Sequence, residues 1–156
     1  MTDKKQEFDT PLGKVREIIE GTSGRDEKLM AICKLLRDNV SYYDWVGFYL
    51  VNRVKKRELI LGPYVGEPTE HVRIPFGRGI CGQTAERKET FVVQDVSEET
   101  NYLSCSSKVR SEIVVPIFKR GEIVGELDID SHSISPFTEK DKDLLEKVCE
   151  MISKVL

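Results

Sequence analysis

No two of the four cysteines, Cys33, Cys81, Cys105 and Cys149, stand in a CxxC pair, so neither a zinc ribbon nor a thioredoxin-like motif is supported. The chain has only two histidines, His71 and His132, and neither has companions at metal-ligand spacing; no metal ion and no cofactor is expected. No apolar run approaches the roughly eighteen residues a membrane helix needs, and no signal-peptide core follows the polar start Thr2–Glu7. Basic residues are not in excess: the net charge is −3, which suggests neither a nucleic-acid footprint nor attraction to a membrane. There is no internal repeat and no low-complexity segment. The expected compartment is the cytoplasm, where a structural disulfide is disfavoured.

The 156 residues suffice for one domain with a real core, spanning 1–156 with residues 1–9 as a flexible N-terminus. Hydrophobic content of 39% and charged content of 33% suit a globular fold. Apolar spacing predicts a short helix over 10–20 (Leu12, Val15, Ile19) and a second over about 26–40 (Leu29, Ile32, Cys33, Leu36, Val40). The last helix starts at Thr138, with Asp141 as capping-box partner and Leu144, Leu145, Val148, Cys149, Ile152 and Val155 as its stripe. Cys33 and Cys149 therefore read as small core hydrophobes.

Between the helices the period drops to two. Trp45–Val51 and Glu58–Val65 form a hairpin around the polar turn Asn52–Arg57, with Gly62-Pro63 expected to distort or end the second strand. Trp45, Gly47 and Tyr49 share a face, where Gly47 leaves room between two aromatic rings. Residues 110–131 form a second hairpin about Lys119-Arg120-Gly121-Glu122. Along its second strand Ile123, Gly125, Leu127 and Ile129 fall on one face, and Val124, Glu126, Asp128 and Asp130 on the other.

Three carboxylates at i, i+2 and i+4 are unremarkable on a solvated face, which is the commoner case. On a central strand they demand a cation, a shared proton or a partner, and Glu112 brings a fourth carboxylate near. The candidates for the cation are a metal, a ligand ammonium, or a lysine or arginine.

Residues 71–75 read as a short strand ending at Pro75, and 90–93 as another. Between them runs Gly77-Arg-Gly-Ile-Cys-Gly82, whose glycines permit a tight path and exposed amides. Cys81 falls near the N-terminus of the helix that follows, where the helix dipole favours a thiolate. The near match to GxGxxG is not a Rossmann fingerprint, because hairpins flank it rather than a βαβ unit. Asp95–Lys108 is a polar loop of the length that often carries function. It holds Cys105 among serines, with Lys108 and Arg110 close enough in sequence to favour its thiolate. The element order gives an α+β fold, an antiparallel sheet with helices packed on it.

Trp45-Val-Gly-Phe-Tyr49, Val72-Arg-Ile-Pro-Phe-Gly-Arg-Gly-Ile-Cys-Gly82, Ser111-Glu-Ile-Val-Val-Pro116 and Leu127-Asp-Ile-Asp-Ser131 together resemble the free methionine-(R)-sulfoxide reductases, single-domain members of the GAF fold. The resemblance runs from the second helix to the end of the chain. It implies a thiol reductase acting on the free amino acid, with Cys105 attacking the sulfoxide and Cys81 serving in disulfide exchange. It places the pocket carboxylates at Glu112, Asp128 and Asp130, and Trp45 and Tyr49 around the ligand. It implies a thioredoxin-type reductant as partner and leaves a homodimer open. Two departures stand out. The family often has a third cysteine where this chain has His71, and an acidic residue where Ser106 follows Cys105. The competing expectation is a GAF module that holds a small ligand without turnover.

Overall fold

The computed structural model describes residues 4–103 and 106–156, with side chains from Pro11 onward. Two helices, α1 (Lys4–Glu20) and α2 (Arg25–Asn39), lead into the sheet strands β1 (Trp45–Val51), β2 (Glu58–Val65) and β3 (Arg73–Pro75). Helix α3 (Gly79–Arg87) and strand β4 (Phe91–Val93) follow, then a 3₁₀ turn at Val96–Glu98. Strands β5 (Ser111–Lys119) and β6 (Glu122–Ser131) and helix α4 (Glu139–Ile152) complete the fold. The six strands run antiparallel in the order β3-β2-β1-β6-β5-β4, so the acidic strand β6 is central.

Each central strand splits its side chains between two cores, as a period of two requires. Val46 and Phe48 of β1, Ile113, Val115 and Ile117 of β5, and Leu127 and Ile129 of β6 meet α1, α2 and α4. The other face carries Trp45, Tyr49 and Val114, which join Ile80, Cys81 and Ala85 of α3 in a smaller core. Cys33 and Cys149 lie in the larger core, as their helix stripes predict. Among the described residues no helix is long and apolar enough to cross a membrane.

Two details depart from the sequence pattern. Helix α1 begins at Lys4 rather than Thr10 and runs through Pro11. The segment before Pro11 carries almost no apolar residue, so the helical period had nothing to mark there. In β6 the pairing jumps from Ile117↔Gly125 to Phe118↔Ile123, which leaves Val124 as an extra, bulged residue. Past the bulge the faces exchange: Val124 packs with the larger core and Ile123 with the smaller, the reverse of strict alternation. In β2 the distortion expected at Gly62-Pro63 is a pairing irregularity opposite Gly47–Tyr49, and the strand runs from Glu58 to Val65 as read from the sequence.

The turn Arg120-Gly121 has positive φ at both residues (55° and 77°), the twist that a two-residue hairpin loop needs. At the other end of the molecule Asp141 is fully buried and fully occupied. One carboxylate oxygen accepts the Tyr42 and Tyr43 hydroxyls, each at 2.6 Å; the other accepts the Thr138 backbone N–H at 2.7 Å and its hydroxyl at 2.9 Å. This ties the start of α4 to the chain entering β1. Asp141→Ala removes the capping box and both tyrosine contacts, and is expected to lower unfolding free energy by about 3 kcal/mol or more. Thermal melts of the variant beside wild type measure it.

Candidate functional site

The site grows from the register of β6. Asp130 pairs with Trp45 on one side and Glu112 on the other. Asp128 stands between Gly47 and Val114, and Glu126 between Tyr49 and Pro116. Helix α3 lies over this face. All three carboxylates and Glu112 are therefore buried, so the solvated reading of the acidic face is wrong for this strand. The consequence shows in their hydrogen bonding: among the described residues, both oxygens of Glu126, Asp128 Oδ1 and Asp130 Oδ1 are buried with no hydrogen-bond partner.

Burial pushes the carboxyls up. For Glu126 desolvation dominates and the charge of Asp128 adds to it, while Cys81 opposes. Asp130 is raised by desolvation and by Asp128, and a hydrogen bond with Glu112 pulls it partly back. Asp128 is raised by desolvation and lowered by hydrogen bonds with Glu112 and Cys81. Such a cluster takes up protons or binds a cation.

The glycine loop fixes α3. Gly77 and Gly79 adopt φ of +91° and +67°, and a side chain at Gly79 would meet Leu103 at 2.9 Å. At Gly82 a Cβ would lie 2.6 Å from the Pro75 carbonyl oxygen, so only glycine lets the first turn of α3 close on β3. Asn101 ties the loop from the other side, donating to the Gly77 carbonyl and accepting from the Gly79 N–H, both at 2.8 Å.

Cys81 thus sits in the first turn of α3, over the carboxylates. Its Sγ is 4.0 Å from Glu112 Oε2, and the residue is 4% exposed. The thiolate expected from the helix dipole is not what this environment favours. Desolvation, then the charges of Asp128, Glu112 and Glu126, push the thiol well above its ordinary value. Three nearby carboxyls outweigh the partial charge of a helix end. Cys33 and Cys149 are likewise raised by desolvation. All three described cysteines are therefore expected to resist alkylation in the native fold, including Cys81. Peptide mass spectrometry after brief iodoacetamide treatment, with and without denaturant, measures this.

Tyr49, His71, Cys81, Leu103, Glu112 and Asp128 are among the residues lining a cavity of about 10 Å³. Of the residues expected from sequence, Cys81, Tyr49, Glu112 and Asp128 meet here. Asp130 and Trp45 stand in register beside the cavity rather than in its wall. Cys105 lies outside the described residues. Lys108, expected to support its thiolate, is paired with Glu67 at 3.0 Å.

The aromatic face of β1 packs into the smaller core, with Tyr49 lining the cavity and Trp45 beside it. The Trp45 ring lies where a Cβ on Gly47 would be, 2.5 Å away, and Gly66 makes the same allowance at 2.6 Å. The indole stacks on Tyr64 with centroids 5.3 Å apart and donates from Nε1 to the Glu67 carbonyl at 2.9 Å. The Tyr49 hydroxyl donates to the His71 carbonyl at 2.9 Å.

Three contributors were not picked out from the sequence as site residues. Glu126 belongs to the acidic face read from the alternation, but the resemblance places only Asp128 and Asp130 of that strand in the pocket. Leu103 belongs to a loop without periodicity. His71 takes part through its backbone carbonyl, which no residue type announces. A larger, open cleft of about 560 Å³ lies among Arg25, Arg53, Lys56, Arg57 and Phe76, and contains none of the site residues.

The GAF domain family matches residues 25–156. The chain is 33% identical over 149 residues to GAF domain-containing protein A of Dictyostelium discoideum, covering 96% of this chain and 92% of the relative. It is 36% identical over 122 residues to the free methionine-R-sulfoxide reductase of Escherichia coli, covering 78% and 72%. Among solved structures, free methionine-R-sulfoxide reductase from Neisseria meningitidis in complex with its substrate superposes with a TM-score of 0.92 at 35% identity, covering 99% of this chain and 91% of that one. With its curled antiparallel sheet, its helices and these relatives, the chain belongs to the GAF domain family, among the members similar to the free methionine-R-sulfoxide reductases.

Proposed function

We propose that the protein reduces free L-methionine (R)-S-oxide to methionine by thiol chemistry. The observation that carries this is the set of buried carboxyl oxygens, without hydrogen-bond partners among the described residues, set against Cys81 and the Tyr49 wall, in a chain with relatives that bear that enzyme name. A free amino acid brings an ammonium group, which an ionised carboxyl can pair. A departing sulfoxide oxygen needs protons, which a carboxyl held neutral by burial can supply. Glu112, Asp128 and Asp130 are assigned these two tasks, and Trp45 and Tyr49 the apolar wall.

The chemistry balances as follows. The Cys105 thiolate attacks the sulfoxide sulfur; the oxygen ends on Cys105 as a sulfenic acid and methionine leaves. The Cys81 sulfur then attacks the sulfenic sulfur, closing a disulfide and releasing water. A thioredoxin-type dithiol reduces that disulfide and is itself oxidised. The raised Cys81 thiol fits this order. A carboxyl that has given its proton to the leaving oxygen becomes the acceptor for the Cys81 proton, with Glu112 Oε2 4.0 Å from the sulfur. Cys105 follows Leu103 by two residues, and Leu103 lines the cavity. A cavity of about 10 Å³ holds one water and not an amino acid, so its lining must give way when substrate enters. The reductant implies a reducing compartment, the cytoplasm.

The test is NADPH consumption through thioredoxin and its reductase, with the separated R and S forms of free methionine sulfoxide. Turnover of the R form alone is expected. Absence of turnover, with binding of another small molecule at this site, would favour a ligand-holding GAF module.

A further inference from the structure

The spacing of residues along the chain predicts no metal site, yet the fold brings Cys81, Glu112 and Asp128 together. One ligand atom from each lies within 4.8 Å of the others, and all three residues are buried. Next to them, Asp128 Oδ1, Asp130 Oδ1 and both oxygens of Glu126 are buried with no hydrogen-bond partner among the described residues. The cavity between Cys81, Glu112 and Asp128 has the volume of a single water molecule or ion, about 10 Å³. Among the described residues no lysine or arginine pairs with Glu126, Asp128 or Asp130, and the space available fits a monatomic cation.

We propose that Cys81, Glu112 and Asp128 bind a zinc-type divalent cation that competes with substrate, so that the reduced site is reversibly closed by metal. The site is that of the proposed reductase, and this inference rests on that reading only for its consequence, inhibition.

The donor set decides the class of cation. One thiolate with two carboxylates suits a tetrahedral, borderline-soft ion such as Zn²⁺ or Cd²⁺, with the fourth position left to water. Mg²⁺ and Ca²⁺ take oxygen donors and a larger or octahedral shell, for which the thiol and the small cavity are unsuited. Binding exchanges the Cys81 proton for the metal: the S–H bond breaks, an S–Zn bond forms, and the proton goes to solvent. Two positive charges then meet a thiolate and two carboxylates, which offsets the repulsion among those three anions. Because the ligands must give up their protons, affinity falls as pH falls. The same coordination takes the Cys81 sulfur out of disulfide exchange.

The experiment uses the full chain in reduced form, without substrate. Cd²⁺ is titrated in while the ultraviolet thiolate-to-metal band is followed, and Zn²⁺ is then measured by competition. Wild type is expected to take up one Cd²⁺ per chain with the band, and Mg²⁺ at the same concentration is expected neither to bind nor to compete. Cys81→Ser should lose the band. Asp128→Asn and Glu112→Gln should each weaken Cd²⁺ binding by about tenfold or more, the scale on which loss of a supporting carboxylate acts. Cys105→Ser should keep the band. Melting curves establish that each variant is folded, and in wild type saturating Zn²⁺ should raise the melting temperature, which it should not in Cys81→Ser.

A band that survives Cys81→Ser and vanishes in Cys105→Ser overturns the proposal. So does binding that is indifferent to all three ligand substitutions, which would mark dispersed surface carboxylates. The band is read without turnover, so a missing band refutes the metal site alone. A normal band in a protein that reduces no sulfoxide refutes the reductase reading alone.

Discussion

Cys81→Ser is expected to release about one methionine per chain from free methionine (R)-sulfoxide and then stop, because the first displacement needs only the Cys105 thiolate. In the thioredoxin-coupled assay it stalls, with a sulfenic acid on Cys105 that a dimedone-type reagent traps. Dithiothreitol restores cycling by attacking that sulfenic acid directly. Cys105→Ser gives no methionine at all. Rapid-quench measurement of methionine per enzyme separates the two variants. If Cys81→Ser cycles with thioredoxin as fast as wild type, Cys81 is not the resolving thiol. His71→Cys offers a further handle. Position 71 and Cys81 line the same cavity, so a thiol there can take over resolution if the Cα atoms come within roughly 4.4–6.8 Å.

Stability is expected to fall as pH rises from about 4.5 towards neutrality, and Glu126→Gln to flatten that slope. The sign follows from proton binding. Glu126, Asp128 and Asp130 have ordinary values of 4.5, 3.8 and 3.8 and are raised in the fold. Above those ordinary values the unfolded chain has lost the protons that the folded protein still holds. Each such group then removes about 1.4 kcal/mol of stability per pH unit until its folded-state pKa is passed. Their stabilisation is complete below the ordinary values and is lost through the raised ones.

Glu58, Glu67 and Asp95 are lowered, chiefly by side-chain hydrogen bonds from Asn52, Lys108 and Ser97 respectively. They act in the opposite sense and at lower pH, below 4.5, so the neutral window belongs to the buried cluster. Urea unfolding at a series of pH values, wild type beside Glu126→Gln, measures the difference. Parallel curves would mean that Glu126 is ionised in the folded protein.

The alternation of β6 was readable because apolar and acidic residues take turns without a break from Gly125 to Asp130. Its central position was readable too, from the hairpin before it and the apolar second face. What alternation could not give was the burial of the acids, which depends on α3 closing over them from forty residues away. The bulge at Val124 was equally hidden, since one extra residue among Ile, Val and Gly changes no composition and breaks no obvious period. The Cys81 thiol shows the same limit. Its place at a helix start was legible, and the carboxylates that outweigh the helix dipole belong to other strands. The capping box of α4 succeeded because Thr138 and Asp141 are three residues apart, a contact made within one turn.

Trp45 is the only tryptophan in the chain, and this makes the protein its own optical probe. The indole is 4% exposed and stacked on Tyr64, with its N–H bound to the carbonyl of Glu67. The side chain of Glu67 in turn holds Lys108, three positions after Cys105. Two non-covalent links therefore join the fluorophore to the end of the cysteine loop. Emission from a single, buried ring carries no background from others, so a stopped-flow trace on the unlabelled protein follows this corner alone. A step in emission timed with sulfenic acid or disulfide formation would report a change around Trp45 as it happens, without a dye and without a mutation.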